Sequence, residues 1–125
     1  MTIATTNPTR QTLFNEQHAL ASAGGDAEVL REIASLFLAD LPRRLEELRE
    51  AIQLAAFERV AYIAHSLRGS AAVFGSDAAV EATLRLELLA QHCKAEALPP
   101  AATEVEYLLR KLAETVAREV VHLEG

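Results

Sequence analysis

His65 lies within a helical sequence pattern, where an exposed imidazole can act as a nucleophile. The stretch around it reads Ala64-His65-Ser66-Leu67-Arg68-Gly69-Ser70-Ala71. A neutral imidazole keeps a free lone pair, so it can attack a phosphoryl group and can later serve as the leaving group. The guanidinium of Arg68 would meet the added negative charge, because it forms charge-assisted bonds to phosphate oxygens. These residues predict a histidine that carries a phosphoryl group.

A helical wheel places His65 away from the core. At about 100° per residue, one narrow sector collects apolar side chains and is expected to face the core. The members of this sector are Val60, Ile63, Leu67, Ala71 and Phe74. His65 lies roughly 150° from the centre of the sector, so we expect its ring to point into solvent.

Small residues surround His65 on the same outer face. Ala61, Gly69 and Ala72 leave little side-chain bulk near the ring, and Tyr62 lies at the edge of this surface. A glycine within a helix costs about 0.8–1 kcal/mol relative to alanine, so its presence needs a reason. A bare surface would let a second protein approach the imidazole closely. We therefore expect these four residues to belong to a docking surface.

Composition limits the classes of partner and compartment. The formal net charge is −6, which argues against nucleic acid or an anionic membrane as the main partner. No apolar run approaches the roughly 20 residues that span a bilayer, and residues 1–10 do not resemble a secretory signal. Cys93 is the single cysteine and has no internal disulfide partner, which favours a reducing, cytoplasmic location. We also expect a monomer.

The apolar periodicity predicts six helices and no sheet, and therefore an all-α fold. The helices are expected at about residues 15–23, 26–41, 42–55, 57–74, 77–94 and 101–122. The last four should form an antiparallel four-helix bundle, with the two N-terminal helices covering one end. Residues 1–10 are interpreted as a flexible segment, and residues 11–125 as the bundle domain.

Caps and breakers set the predicted boundaries. Asn15, Asp26 and either Ser76 or Asp77 can cap helices, and Gly24-Gly25 and Gly75 can end them. Pro42 suits the first turn of a new helix and is poor inside one, so a boundary is expected there. Pro99-Pro100 are expected to break the chain before the last helix.

The fifth predicted helix carries two apolar rows, and we therefore expect it to lie centrally in the bundle. One row is formed by Val80, Leu84 and Leu88, and the other by Ala79, Ala82, Leu86, Leu89 and Cys93.

The segment from Ala64 to Ala72, followed by Phe74-Gly75-Ser76, resembles the signature of the histidine phosphotransfer (Hpt) domain, roughly A-H-x-L-K-G-S-A. The similarity extends over about residues 14–125. Supporting matches are Gly25-Asp26, Phe37-Leu38-Ala39-Asp40-Leu41-Pro42, Ala51-Ile52 and Leu86-Glu87.

The resemblance implies that His65 accepts a phosphoryl group from a receiver-domain aspartate or a histidine kinase. His65 would then pass the group to a response-regulator aspartate. The chain would be a phosphocarrier without catalysis or cofactor of its own, and Mg²⁺ would be expected on the partner receiver domain. Arg68 stands where the family usually has lysine. Gln91 stands where many members have a basic residue, so Lys94 is a second candidate for that docking charge.

Three other interpretations remain open. A non-catalytic adaptor or dimerisation domain would share the fold without needing His65, Arg68 or Gly69. A hydrolase could use Ser66 or Ser70 beside the histidine, although no acid is predicted to orient the ring. A metal site is disfavoured because the histidines lack ligand spacing, and the adjacent His92-Cys93 side chains should diverge on a helix. The histidines are His18, His65, His92 and His122.

Overall fold

Five α-helices and one short 3₁₀ helix make up residues 12–122, the part of the chain that this computed structural model describes. The helices are α1 (Glu16–Ser22), α2 (Ala27–Gln53), α3 (Phe57–Val73), α4 (Asp77–Gln91) and α5 (Leu98–Glu119), with the 3₁₀ turn at Ala95–Ala97. No strand occurs among these residues. The fold is all-α, as predicted. The predicted flexible segment, residues 1–10, lies outside the described residues.

Local capping chemistry begins three of the helices where the sequence predicts. The Asn15 side chain accepts from the His18 amide, the Asp26 side chain from the amides of Glu28 and Val29, and Ser76 from the Ala79 amide. Each bond satisfies amides that the first turn of a helix leaves without a partner. These caps place the beginnings of α1, α2 and α4.

The predicted boundary at Pro42 is wrong, because α2 runs through it. Proline removes one backbone hydrogen bond from a helix interior. However, the buried side chains Phe37, Leu41, Leu45 and Leu48 continue the same stripe on both sides of Pro42. Burial of this stripe outweighs the lost bond, and Pro42 itself is exposed. The helices predicted on the two sides of Pro42 are therefore one helix, α2, which belongs to the bundle. Of the two N-terminal helices predicted to cover one end, only α1 is a separate short helix.

Two further boundaries differ from the prediction. The last helix begins at Leu98, so Pro99 and Pro100 lie in its first turn, where an amide has no partner to lose. The helix α4 ends at Gln91 and does not reach residue 94. The chain turns at Cys93, whose φ is +54°.

The four long helices pack in a closed ring. The helix α3 lies between α2 and α4, and α5 contacts α4 and α2 from the other side. The predicted core sector of α3 is buried in full. The predicted row of Val80, Leu84 and Leu88 is not buried, since Leu84 is 39% and Leu88 44% exposed and Val80 is only partly buried. The helix α4 therefore buries one face against its neighbours and is not central.

Gly75 joins α3 to α4 and touches the start of α1. Its φ is +65°, and an added Cβ would lie 2.7 Å from the Cβ of Asn15 and 3.1 Å from that of His18. The Asn15 amide also donates to the carbonyl of Phe74 over 3.0 Å. Glycine is therefore required here both by backbone conformation and by close packing.

We expect Gly75→Ala to lower the free energy of unfolding by about 1–2 kcal/mol from the left-handed backbone. Overpacking against α1 should add about 1–3 kcal/mol. Gly24→Ala is the matched control, because Gly24 has φ +69° but its added Cβ would meet nothing within 4 Å. Urea unfolding of both variants measures the difference. Equal losses in the two variants would refute the packing contribution.

Candidate functional site

The helix α3 carries His65 on its outer face, as predicted. The core residues Ile63, Ala64 and Leu67 anchor the helix on either side of this position. The His65 side chain is 64% exposed. A partner molecule therefore has direct access to the ring.

The surface around His65 is low in profile. Gly69 and Ala72 are exposed and Ala61 is half-buried, while Tyr62 stands out with 75% exposure. A Cβ added at Gly69 would meet nothing within 4 Å. Packing within the described chain thus does not require glycine at this position. A larger residue here would project into the space from which a molecule could approach His65.

Glu87, on α4, is the site residue that the sequence did not reveal. Its Oε2 lies 3.3 Å from Nδ1 of His65, and its Oε1 accepts a hydrogen bond from Nη1 of Arg68 over 2.6 Å. The Glu87 side chain is only 12% exposed. The expectation that no acid lies near the His65 ring was therefore wrong. In the sequence, Glu87 stands out only as half of the Leu86-Glu87 pair.

The Arg68 guanidinium already makes two polar contacts within the site. Besides its bond to Glu87, its Nη2 lies 3.0 Å from Nδ1 of His65. Its side chain is 24% exposed, so the ion pair with Glu87 is partly shielded from water. Charge-assisted bonds of this length are the strong class of hydrogen bond. An incoming phosphoryl group would have to draw the guanidinium away from contacts that it already makes.

A second polar network fixes the opposite flank of α3. Nη1 of Arg44, on α2, donates to Oγ of Ser66, and the same guanidinium pairs with Asp40. Hydrogen bonds from Arg44 and Arg43 lower the pKa of Asp40. Ser66 is thus bonded toward α2 and away from the His65 ring. This arrangement does not resemble a serine nucleophile paired with its histidine base.

The remaining predicted docking residues lie around α4. Gln91 is exposed at the last position of α4, one turn beyond Glu87 and on the same side of the helix. Lys94 is exposed beyond the end of α4, where it precedes the 3₁₀ turn. The structure thus brings Arg68 and Glu87 to the His65 ring, and it leaves Lys94 off the helix. Leu84 and Leu88 add exposed apolar area to α4, where the apolar periodicity predicts a buried row.

Residues 12–122 contain no metal-ligand cluster and no membrane-spanning helix. No group of three His, Cys, Asp or Glu side chains is arranged there to hold a metal ion. No helix in the same range is both long and apolar enough to cross a membrane.

The family model for the Hpt domain matches residues 32–119, which include His65, Arg68 and Glu87. This chain belongs to the Hpt domain family. A search of curated proteins gives no match.

Solved Hpt structures share the fold. Histidine-containing phosphotransfer protein B (HptB) from Pseudomonas aeruginosa PAO1 superimposes with a TM-score of 0.80 at 16% identity, covering 89% of this chain and 96% of its own. The Hpt domain of a sensor hybrid histidine kinase from Shewanella gives 0.70 at 22% identity, covering 90% and 97%. At these identities the likeness supports the fold alone.

Proposed function

We propose that this chain is a phosphotransfer protein of a two-component phosphorelay, with His65 as the phosphoacceptor. The observation that carries the proposal is the exposed His65 ring, which lies in a chain of the Hpt family and has the Arg68 guanidinium 3.0 Å from its Nδ1. Phosphoryl transfer needs alignment and charge neutralisation more than covalent chemistry from the protein. An exposed imidazole with an adjacent guanidinium supplies part of both.

The nucleophile in this proposal is Nε2 of His65. The contacts of the ring to Arg68 and Glu87 are made at Nδ1, on the side that faces the protein. The lone pair of Nε2 attacks the phosphorus of a receiver aspartyl phosphate. The bond from phosphorus to the aspartate oxygen breaks, and the carboxylate leaves with the electron pair. The reverse sequence, with a response-regulator aspartate as nucleophile, regenerates the free imidazole.

The surrounding residues would admit and orient the partner. Gly69, Ala61 and Ala72 give clearance to the ring, and Arg68 neutralises charge on the phosphoryl oxygens. Tyr62, Gln91 and Lys94 are exposed and would contact the receiver domain or the histidine kinase. The partner supplies Mg²⁺ and the other catalytic groups, and this chain acts as the carrier.

Direct labelling tests the proposal. We expect the chain to acquire phosphate when it is mixed with a phosphorylated receiver domain or an autophosphorylated histidine kinase. The label should be acid-labile and base-stable, as a phosphoramidate is, and receiver domains with their own Mg²⁺ should remove it. A panel of kinases and receivers in which no donor labels the chain would favour the adaptor or dimerisation alternative.

A further inference from the structure

The interface between α2 and α3 contains a cleft on the C-terminal side of His65. The cleft has a volume of about 250 Å³, and its walls include Phe37 and Leu41 of α2 and Leu67 and Ser70 of α3. A cleft of this size admits water, so the side chains along it do not interlock as they do in a close-packed core. Polar contacts at the edge of the cleft therefore have a larger share in holding α3 against α2.

Arg44, which lines this cleft, joins α2 to α3. Its Nη1 donates to Oγ of Ser66, and its Nε donates to Oδ2 of Asp40 over 2.5 Å. Nη2 of Arg43 donates to the other oxygen of the same carboxylate. These hydrogen bonds lower the pKa of Asp40, so the carboxylate stays charged and keeps the Arg44 guanidinium in place. The Arg44 side chain is 32% exposed, so its contacts are partly shielded from water.

Ser66 directly follows His65, so the two side chains turn together when α3 turns about its axis. A side chain ends about 5–6 Å from the axis of its helix, and a rotation of about 10° therefore displaces it by about 1 Å. A misplacement of this size can cost about 100-fold in the rate of a reaction between positioned groups. A bond that holds Ser66 thus also holds the imidazole in position for a partner.

The bond from Arg44 to Ser66 ties α3 to α2 on one side, and the pair of Arg68 with Glu87 ties it to α4 on the other. A helix held on one side can pivot about that contact, whereas two ties on opposite sides oppose rotation. We infer that Arg44 is a positioning residue for phosphoryl transfer, because its bond to Ser66 fixes the rotation of α3 and thereby the direction of the His65 ring. This inference rests on the proposed function. Arg44 acts here through Ser66 and the backbone of α3.

Residual dipolar couplings of the backbone amides test the inference without a transfer partner, since their variation along a helix reports the rotation of that helix about its axis. Ser66→Ala removes the acceptor of the bond and keeps the ion pair of Arg44 with Asp40. We expect α3 in this variant to be rotated relative to α2 and α5 by about 10°, the angle that displaces the ring by about 1 Å. Ser66→Thr keeps the hydroxyl and should retain the wild-type rotation.

Transfer kinetics test the consequence for the proposed function. With a saturating concentration of phosphorylated receiver, transfer to Ser66→Ala should slow by about tenfold or more. The receiver concentration at half-maximal rate should change by less than about twofold, because the loss is in alignment and not in docking. Arg44→Met should show the same loss. The double variant should lose no more than either single variant, since both substitutions remove one and the same bond.

Arg49→Met is the matched control. The Arg49 guanidinium ties α2 to Glu106 of α5, so its loss removes a similar contact between helices without touching α3. The rotation of α3 and the transfer rate should both stay at wild-type values in this variant. An unrotated α3 in Ser66→Ala, a loss that Arg44→Met does not share, or an equal loss in Arg49→Met would overturn the inference. Failure of every donor to label the wild-type chain would instead overturn the proposed function, and the dipolar couplings do not depend on that result.

Discussion

His65→Gln is expected to reduce phosphate labelling by any donor to background. Glutamine has a similar reach and its amide oxygen can still accept a bond from Arg68. Its amide nitrogen lone pair is delocalised, so it cannot attack phosphorus. Because position 65 is exposed and glutamine is the better helix former, the free energy of unfolding should change by no more than about 0.5 kcal/mol. The variant therefore removes the nucleophile and leaves the fold.

The matched control for this prediction is His92→Gln. His92 is also exposed and lies at the end of α4, the helix that supplies Glu87. Labelling of this variant should proceed at the wild-type rate. Residual labelling of His65→Gln at wild-type level, or its loss in His92→Gln alone, would move the phosphoacceptor away from His65. Thermal unfolding of both variants shows that each is folded during the assay.

Short-range sequence features predict much of this fold because their physics is local. Asn15, Asp26 and Ser76 cap helices through bonds to amides only two or three residues away. The core face of α3 follows from periodicity along a single helix. Local reasoning fails at Pro42. The cost of a proline inside a helix is smaller there than the gain from burying α2 against α3 and α5, and the sequence does not display that burial.

In the candidate site, too, local sequence features place some residues and not others. His65 and Arg68 are three residues apart on one helix, so a wheel places both of them. Glu87 reaches the ring from α4, and its position depends on the rotation and register of α4 against α3. Nothing in the periodicity of α4 sets that rotation, since Leu84 and Leu88 suggested a buried row that is in fact exposed. The helix pairing therefore had to be seen before the acid could be assigned.

The second large effect is expected from Gly69→Gln, which should slow phosphoryl transfer by about 100-fold or more while the domain stays folded. The new side chain would stand one turn from His65, on the face that a receiver domain must approach. A displacement of the reacting atoms by about 1 Å can cost about 100-fold in rate. Since a Cβ at position 69 meets nothing within 4 Å, no clash inside the described chain opposes the substitution. Relief of the glycine penalty should even raise the free energy of unfolding, by up to about 1 kcal/mol.

Transfer rate and stability must therefore move in opposite directions in Gly69→Gln, a combination that misfolding cannot produce. Gly69→Ala should give a similar gain in stability with a smaller loss of rate, because one methyl group adds little height. Thr103→Gln is the control for bulk elsewhere, since Thr103 is exposed on α5, which packs against α2 and α4. Its transfer rate should equal that of wild type. Rapid-quench measurement of transfer from a phosphorylated receiver, paired with urea unfolding, decides the matter. A Gly69→Gln protein that is stabilised and still transfers at the wild-type rate would show that the bare surface around His65 is not where the partner docks.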